Sequence, residues 1–187
     1  MVRECFDATL AALVPACCTI YGDRLESLAV FGSVARGLMR PDSDIDLIIV
    51  AEPLPNGRFA RVEEFEQVEA ALSAVMNEAK RGGVNTWLAP VFKTPAELEH
   101  GSLLFLDLPD QARILYDEHG LLRAYLDRLA ARLRAMGARR VAKGAATTGC
   151  SSRTSSPEIG SSYEGGRIGA RLLQARKDAS SRARLAP

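Results

Sequence analysis

Apolar residues recur with two different periods along the first 142 residues of the chain. Near the N-terminus they recur every three or four positions, as they do on one face of a helix, so the pattern predicts an amphipathic first helix. Its charges, Arg3 against Glu4 and Asp7, are not those of a secretory signal peptide. We therefore expect this helix to belong to the folded domain. The residues on its apolar face are Val2, Phe6, Leu10, Leu13, Cys17 and Ile20.

Short apolar runs and helical patterns then alternate. The run 45–51 is rich in β-branched residues and predicts a buried strand, and a loop rich in Pro, Asn and Gly follows it. Thr94, Pro95 and Glu97 form the start signal of a helix, with Thr94 as the cap. Further strands are predicted at 28–31, 84–92 and 112–116, a helical turn at 33–38, a helix of about five turns at 62–79, and a last helix at 121–136.

This order of elements predicts an α/β (α+β) domain over residues 1–142, with a small mixed sheet flanked by helices. The whole chain has 187 residues and is 47% apolar, which is enough for one hydrophobic core. Large apolar residues become rare after about residue 144, where Ser, Gly, Ala and Arg dominate. We therefore predict a disordered tail over residues 143–187.

Charge and cysteine usage narrow the possible partners. The net charge is +1, with eight Lys/Arg against three Asp/Glu in residues 143–187 and a net −4 in the remainder. Such a domain carries no overall basic field and gives no signal for nucleic acid. The four cysteines, Cys5, Cys17, Cys18 and Cys150, have no C-x-x-C spacing, as expected of reduced thiols in a cytoplasmic protein. The apolar run 47–51 beside the chemical motif is too short to span a membrane.

Candidate chemistry is concentrated in residues 31–50. Gly32 and Ser33 fall where a strand ends and a helical turn begins, so backbone N–H groups and a hydroxyl can meet a phosphate there. Asp44 and Asp46 stand two apart at the start of a strand, so both carboxylates point to one face. Two such carboxylates repel each other unless a cation lies between them, which favours Mg²⁺ and phosphoryl transfer. Each part alone is common, and it is their joint order that is specific.

The same segment resembles the signature of the minimal nucleotidyltransferases, a branch of the DNA polymerase β-type superfamily. In that signature a Gly-Ser pair, ten residues and Asp-x-Asp follow one another, and the ten residues here are 34–43. The resemblance implies a polymerase β-like fold, a nucleotide triphosphate (ATP first) as substrate, and Mg²⁺ in a two-metal site. It assigns catalysis and metal binding to Asp44 and Asp46, and nucleotide binding to Gly32, Ser33, Arg36, Gly37 and Ser43.

The resemblance leaves three functions open. Members are often encoded beside a HEPN-type toxin, and some act as antitoxins by transferring AMP to it, so a HEPN-type partner protein is the first expectation. The second is a catalytically weak module that binds and masks such a partner. The third is a small-molecule enzyme of the aminoglycoside type. Because antibiotic-modifying relatives usually have a second helical domain for the acceptor, the short chain favours the first two.

Many active members carry a third carboxylate on the next core strand. The predicted strand 84–92 has no acid, and its Asn85 could coordinate a metal weakly but could not act as a base. Trp87 on that strand is interpreted as a core residue, with base stacking as the alternative. Three other acids, Glu66, Glu97 and Asp107, lie outside the strand, and the sequence does not place them in the site.

The genetic code offers an interpretation of the tail. Codons that encode residues 147–164, when they are read in the frame that starts one nucleotide earlier, can encode a different peptide followed by a stop. That peptide is Tyr-Tyr-Trp-Val-Leu-Lys-Pro-Asp-Leu-Lys-Pro-Gly-Asp-Arg-Phe-Glu-Leu. This ending resembles the aromatic closing segment that relatives have after a segment like 137–141. We therefore expect residues 143–187 to be a frameshift product, which resequencing the gene would test.

Overall fold

The computed structural model describes residues 1–143 and 146–151, and the surroundings of side chains as far as residue 138. The helices are α1 (Val2–Tyr21), α2 (Gly32–Ala35), α3 (Arg58–Ala71), α4 (Ser73–Arg81), α5 (Pro95–Glu99), α6 (Leu108–Gln111) and α7 (Leu121–Ala135). The strands are β1 (Leu25–Phe31), β2 (Ile45–Ala51), β3 (Leu88–Lys93), β4 (Arg113–Asp117), β5 (Arg139–Lys143) and β6 (Ala146–Ser151). Two 3-10 turns lie at Gly22–Arg24 and Leu103–Asp107.

The main sheet has four strands in the order β3-β2-β1-β4. Strand β1 is antiparallel to both β2 and β4, and β2 is parallel to β3. Helices α1, α3 and α4 contribute to the core on one face of this sheet, called here the first core. Helices α5, α6 and α7 contribute to the second core on the opposite face. The predicted class, a small mixed sheet flanked by helices, is confirmed.

Strand β2 lies between two neighbours, and its side chains alternate between the two cores. Ile45, Leu47 and Ile49 belong to the first core, and Ile48 and Val50 to the second; all five are fully buried. Burial of each such side chain contributes about 1.5–3 kcal/mol. The run 45–51 was predicted as a buried strand with these same bounds, and this is confirmed.

Helix α1 confirms the predicted amphipathic first helix. Phe6, Leu10, Leu13 and Cys17 of its apolar face are buried in the first core. By length and composition alone the stretch Val2–Arg24 would also qualify as a membrane span, with 39% of its most apolar window buried. Because its apolar face packs on the sheet, we interpret α1 as a core helix.

Two predicted elements differ from the structure. The single helix predicted over 62–79 is two helices that meet at Leu72. Leu72 has φ −88° and ψ −4°, outside the ideal helical range, yet its N–H still donates to the Val68 carbonyl at 3.0 Å. The joint is therefore a local bend around a buried leucine. The third strand, predicted over 84–92, begins only at Leu88, because the Asn85 N–H donates to the Pro41 carbonyl (2.8 Å) in the turn before β2.

Strands β5 and β6 form a separate antiparallel hairpin that the residue pattern did not predict. At Lys143 and over 146–151 the structure therefore differs from the disorder expected for the tail, because the backbone of these residues is paired in the hairpin. The rest of the predicted tail, residues 144–145 and 152–187, lies outside the described residues. The domain boundary near residue 142 and the frameshift origin of the tail stay predictions.

Glu97 joins three parts of the fold. Its carboxylate accepts two hydrogen bonds from Arg61, at 2.7 and 2.8 Å, and completes the predicted capping box by accepting the Thr94 N–H. The Arg61 Nε also donates to the Pro55 carbonyl at 2.8 Å, so the loop after β2, helix α3 and helix α5 are held together. The hydrogen bonds from Arg61 are the main reason that the pKa of Glu97 falls to about 2.

We expect Glu97→Gln to lower the free energy of unfolding by about 1–2 kcal/mol at pH 7. This is less than hydrogen bonds to a buried charged group contribute, because the Glu97 side chain is 40% exposed and solvent screens its charge. The folded-state pKa lies below the unfolded value, so this stabilisation is complete above pH 4.5 and is lost as the pH falls towards 2. Urea unfolding at several pH values measures the difference. Glu78→Gln is the matched control, because Glu78 and its partner Arg81 are over 70% exposed, and it should change little. Equal losses in both variants would contradict the expectation.

Candidate active site at the start of strand β2

Asp44 and Asp46 lie at the N-terminal end of β2, and both are partly exposed. Because side chains alternate along a strand, they share the face of Ile48 and Val50, which is the face of the second core. Strand β1 runs antiparallel to β2 and pairs Phe31 with Asp46. The residues that follow β1 therefore lie directly beside the two carboxylates, as the signature predicted.

Gly32 lies in close contact with Asp46, the second acid of the pair. A Cβ atom at this position would lie 2.3 Å from Oδ2 of Asp46 and 3.2 Å from its Cγ. The backbone also has φ +71°, a conformation that residues with side chains rarely adopt. Glycine is required here for two independent reasons. The carboxylate of Asp46 consequently lies directly against the predicted phosphate cradle.

The connection between Gly32 and Asp44 is held by its own hydrogen bonds. The Leu38 N–H donates to the Ser33 carbonyl at 2.9 Å. The Ser43 hydroxyl accepts the Arg40 N–H at 2.9 Å, and the Ser43 N–H donates to the Arg40 carbonyl at 3.0 Å. The structure thus gives Ser43 a role in closing the turn. Its nucleotide-binding role stays a prediction.

Arg36 and Gly37 lie in the same connection. The Arg36 side chain is exposed, and its Nε donates to the Gly32 carbonyl at 3.1 Å, so a positive charge lies at the edge of the cradle. Such a charge favours a bound phosphate. Gly37 has φ +69° with open space around its Cα, so the structure explains this glycine by the turn it makes. The nucleotide-binding roles of both residues stay predictions.

The two carboxylates of the site fit a magnesium ion that would also be held by the phosphates of a bound nucleotide. Mg²⁺ is usually bound by one or two carboxylates together with substrate phosphates and water. Asp44 and Asp46 supply two carboxylates, and the cradle at Gly32 brings phosphate oxygens beside Asp46. Within residues 1–143 and 146–151 no group of three or more metal-binding side chains occurs, so a metal here would depend on the nucleotide for its remaining ligands.

Strand register locates the position where a third carboxylate would stand. Strand β3 is the next core strand, and its Ala89 pairs with Asp46 on the same face. The sequence could not supply this pairing, because the predicted strand began four residues too early. Glu97 is bound to Arg61 beyond the opposite, C-terminal end of β3, and Glu66 is exposed on α3, which packs on the other face. Neither acid can complete the site.

Comparisons with known proteins agree with this geometry. The family model described as the nucleotidyltransferase domain matches residues 10–80, which include the whole signature. A protein of Methanocaldococcus jannaschii with the provisional name protein adenylyltransferase is 31% identical over 111 residues, which cover 58% of this chain and 70% of that protein.

Solved structures are more distantly similar. A toxin-antitoxin structure with AMP-PNP is 19% identical, with a TM-score of 0.46 over 67% of this chain and 87% of that chain. Spectinomycin adenyltransferase from Enterococcus faecialis, with ATP and spectinomycin, is 11% identical, with a TM-score of 0.47 over 69% of this chain and 66% of that chain.

The relative of 31% identity, the matched family model and the contact between Gly32 and Asp46 lead to one conclusion. This chain belongs to the nucleotidyltransferases, and it is a transferase enzyme.

Proposed function

We propose that the protein transfers AMP from ATP, with Mg²⁺, to a hydroxyl group of a partner protein in the cytoplasm. The observation that carries this proposal is the contact of the Asp46 carboxylate with Gly32, next to Asp44, which would hold a metal ion against a bound triphosphate. The choice of AMP and of a protein acceptor is supported by the provisional name of the relative with 31% identity.

The residues of the site have separate roles in the proposed reaction. Backbone groups at Gly32 and the hydroxyl of Ser33 bind the triphosphate, and Arg36 adds a positive charge at its edge. Asp44 and Asp46 would hold Mg²⁺, which would neutralise the negative charge that develops during transfer. The acceptor oxygen forms a bond to the α-phosphorus, the bond from that phosphorus to the β-phosphate oxygen breaks, and pyrophosphate leaves.

The proton of the acceptor hydroxyl goes to water in this proposal. The neighbouring position on β3 is Ala89, which cannot accept a proton. An acceptor whose hydroxyl is already acidic suits such a site, because it needs less help from a base. Tyrosine, with a pKa of about 10, is the most acidic of the protein hydroxyls. We therefore propose a tyrosine of a HEPN-type partner as the acceptor.

Co-expression with a HEPN-type protein encoded beside the gene tests this proposal. We expect the partner to gain the mass of one AMP group on a tyrosine, as measured by mass spectrometry of the purified complex. The same experiment with Asp46→Asn should give unmodified partner. A stable complex that contains no adduct would contradict the proposal and favour a module that masks its partner. Transfer of labelled AMP to an aminoglycoside but not to protein would favour the small-molecule enzyme.

A further inference from the structure

Trp87 is the single tryptophan of the chain, and hydrogen bonds fix it beside Asp44. The Ile45 N–H donates to the Trp87 carbonyl at 2.9 Å, where β2 and β3 begin to pair. One residue earlier, the Thr86 hydroxyl donates to the Ser43 carbonyl at 2.7 Å. The backbone on both sides of Asp44 is therefore tied to the segment that carries the indole, and this segment has little freedom to move away.

The register of the two strands fixes the face from which the indole extends. Ile45 pairs with Leu88, and both side chains are buried in the first core. Asp44 and Trp87 each precede this pair by one residue, so their side chains start from the opposite face of the sheet. Neighbouring strands lie about 4.8 Å apart. The indole consequently starts next to the first carboxylate of the signature.

Trp87 is not packed as a core aromatic residue. Phe65 and Phe92 pair edge to face in the first core, and Phe105 and Tyr125 do so in the second. Trp87 belongs to neither core of the described chain and is partly exposed. Its Nε1–H is nevertheless buried and has no acceptor among the described residues. A buried polar group without a partner is uncommon in a folded protein, so this N–H needs an explanation that the described residues do not supply.

We propose that Trp87 binds the base of the nucleotide by stacking; this rests on the proposed function of the site. Gly32 follows β1 on one side of β2, and Trp87 precedes β3 on the other side. A nucleotide with its phosphates at Gly32 and its base on the indole crosses the start of β2. Its α-phosphate then lies over Asp44 and Asp46, where the proposed transfer needs it. Stacking on an aromatic ring is a general means of binding a base.

Tryptophan fluorescence tests the inference directly, because Trp87 is the only source of indole emission. Wild-type protein is titrated with Mg²⁺ and an ATP analogue that resists cleavage between the α- and β-phosphates, and calorimetry measures the same binding. We expect a saturable change in emission with the calorimetric Kd. Inorganic tripolyphosphate with Mg²⁺ should bind with much less change, because it has no base.

Substitutions separate contact with the base from contact with the phosphates. We expect Trp87→Leu to raise the Kd for the analogue about 10-fold, and Trp87→Phe to raise it less, with the Kd for tripolyphosphate unchanged within about twofold. Phe59→Leu, at an aromatic residue that is 77% exposed at the start of α3, is the matched control and should bind as wild type does. Thermal melting checks that each variant is folded.

Four results would overturn the inference. Calorimetric binding of the analogue without any change in emission, or with equal affinity in Trp87→Leu, removes the base contact and leaves the proposed function intact. Equal losses for the analogue and for tripolyphosphate would show that Trp87 supports the phosphate site only. Failure of the wild-type protein to bind any nucleotide would overturn the proposed function together with this inference.

Discussion

Asp46→Asn is expected to lower the rate of nucleotidyl transfer by about 1,000-fold or more, since loss of one metal-binding carboxylate removes several kcal/mol of charge stabilisation from the transition state. Asparagine has nearly the same shape as aspartate, so its contact with Gly32 can persist and the fold should be retained. Asp44→Asn should behave alike, because both acids share one face. Initial rates with α-labelled ATP measure the loss, and calorimetry with Mg²⁺ and a non-cleavable analogue measures the binding part.

The chain offers a matched control for this change two residues before Asp44. Asp42 is exposed in the turn that precedes β2, and its carboxylate lies 3.5 Å from Nε of Arg40. Asp42→Asn removes one negative charge from the same turn without touching the acidic pair, so we expect transfer within about twofold of wild type. Equal losses in Asp42→Asn and Asp46→Asn, or metal-dependent binding that survives in both Asp44→Asn and Asp46→Asn, would show that the metal does not bind at this pair.

The sequence predicted those parts of the site that depend on neighbours along the chain. The apolar run 45–51 set the bounds of β2, and the spacing of Asp44 and Asp46 set their common face. Because β1 and β2 are antiparallel neighbours, the Gly-Ser pair after β1 lies beside the carboxylates at the start of β2. Each of these three features depends on local periodicity and on one short connection, and both can be recognised in a single sequence.

The parts that depend on the register between distant strands could not be predicted in this way. The parallel pairing of β2 with β3 places Ala89 opposite Asp46. The same register places Trp87 beside Asp44, one residue before the pair of Ile45 and Leu88. Two helices and a loop separate these strands, so nothing local fixes the register. The predicted strand also began four residues early, because Asn85 and Thr86 bond to the turn before β2 and not along a strand. The close approach of Asp46 to Gly32 is likewise visible only in three dimensions.

That close approach makes Gly32 the most restrictive position of the cradle, and we expect Gly32→Val to abolish metal-dependent nucleotide binding. Two effects add. A side chain at φ +71° costs about 1–2 kcal/mol, and more for a β-branched residue. Its Cβ would also meet Oδ2 of Asp46 at 2.3 Å, so the carboxylate must move out of its place. We expect the melting temperature to fall as well. Ser33→Ala should act more mildly, weakening triphosphate binding by about 1 kcal/mol or more through one lost hydrogen bond.

Two alanine variants distinguish the effect of the positive φ from the effect of the clash with Asp46. Gly32→Ala adds only the Cβ that meets Asp46, and Gly120→Ala is the matched control, because Gly120 has φ +67° and nothing within 4 Å of a Cβ there. Both variants should lose stability in thermal melting, since each places a side chain at a positive φ. Only Gly32→Ala should lose binding of Mg²⁺ with a non-cleavable ATP analogue, by about 10-fold or more, because only there is a metal-binding carboxylate displaced. If Gly32→Ala binds the analogue as tightly as Gly120→Ala does, the triphosphate and its metal do not lie against Asp46.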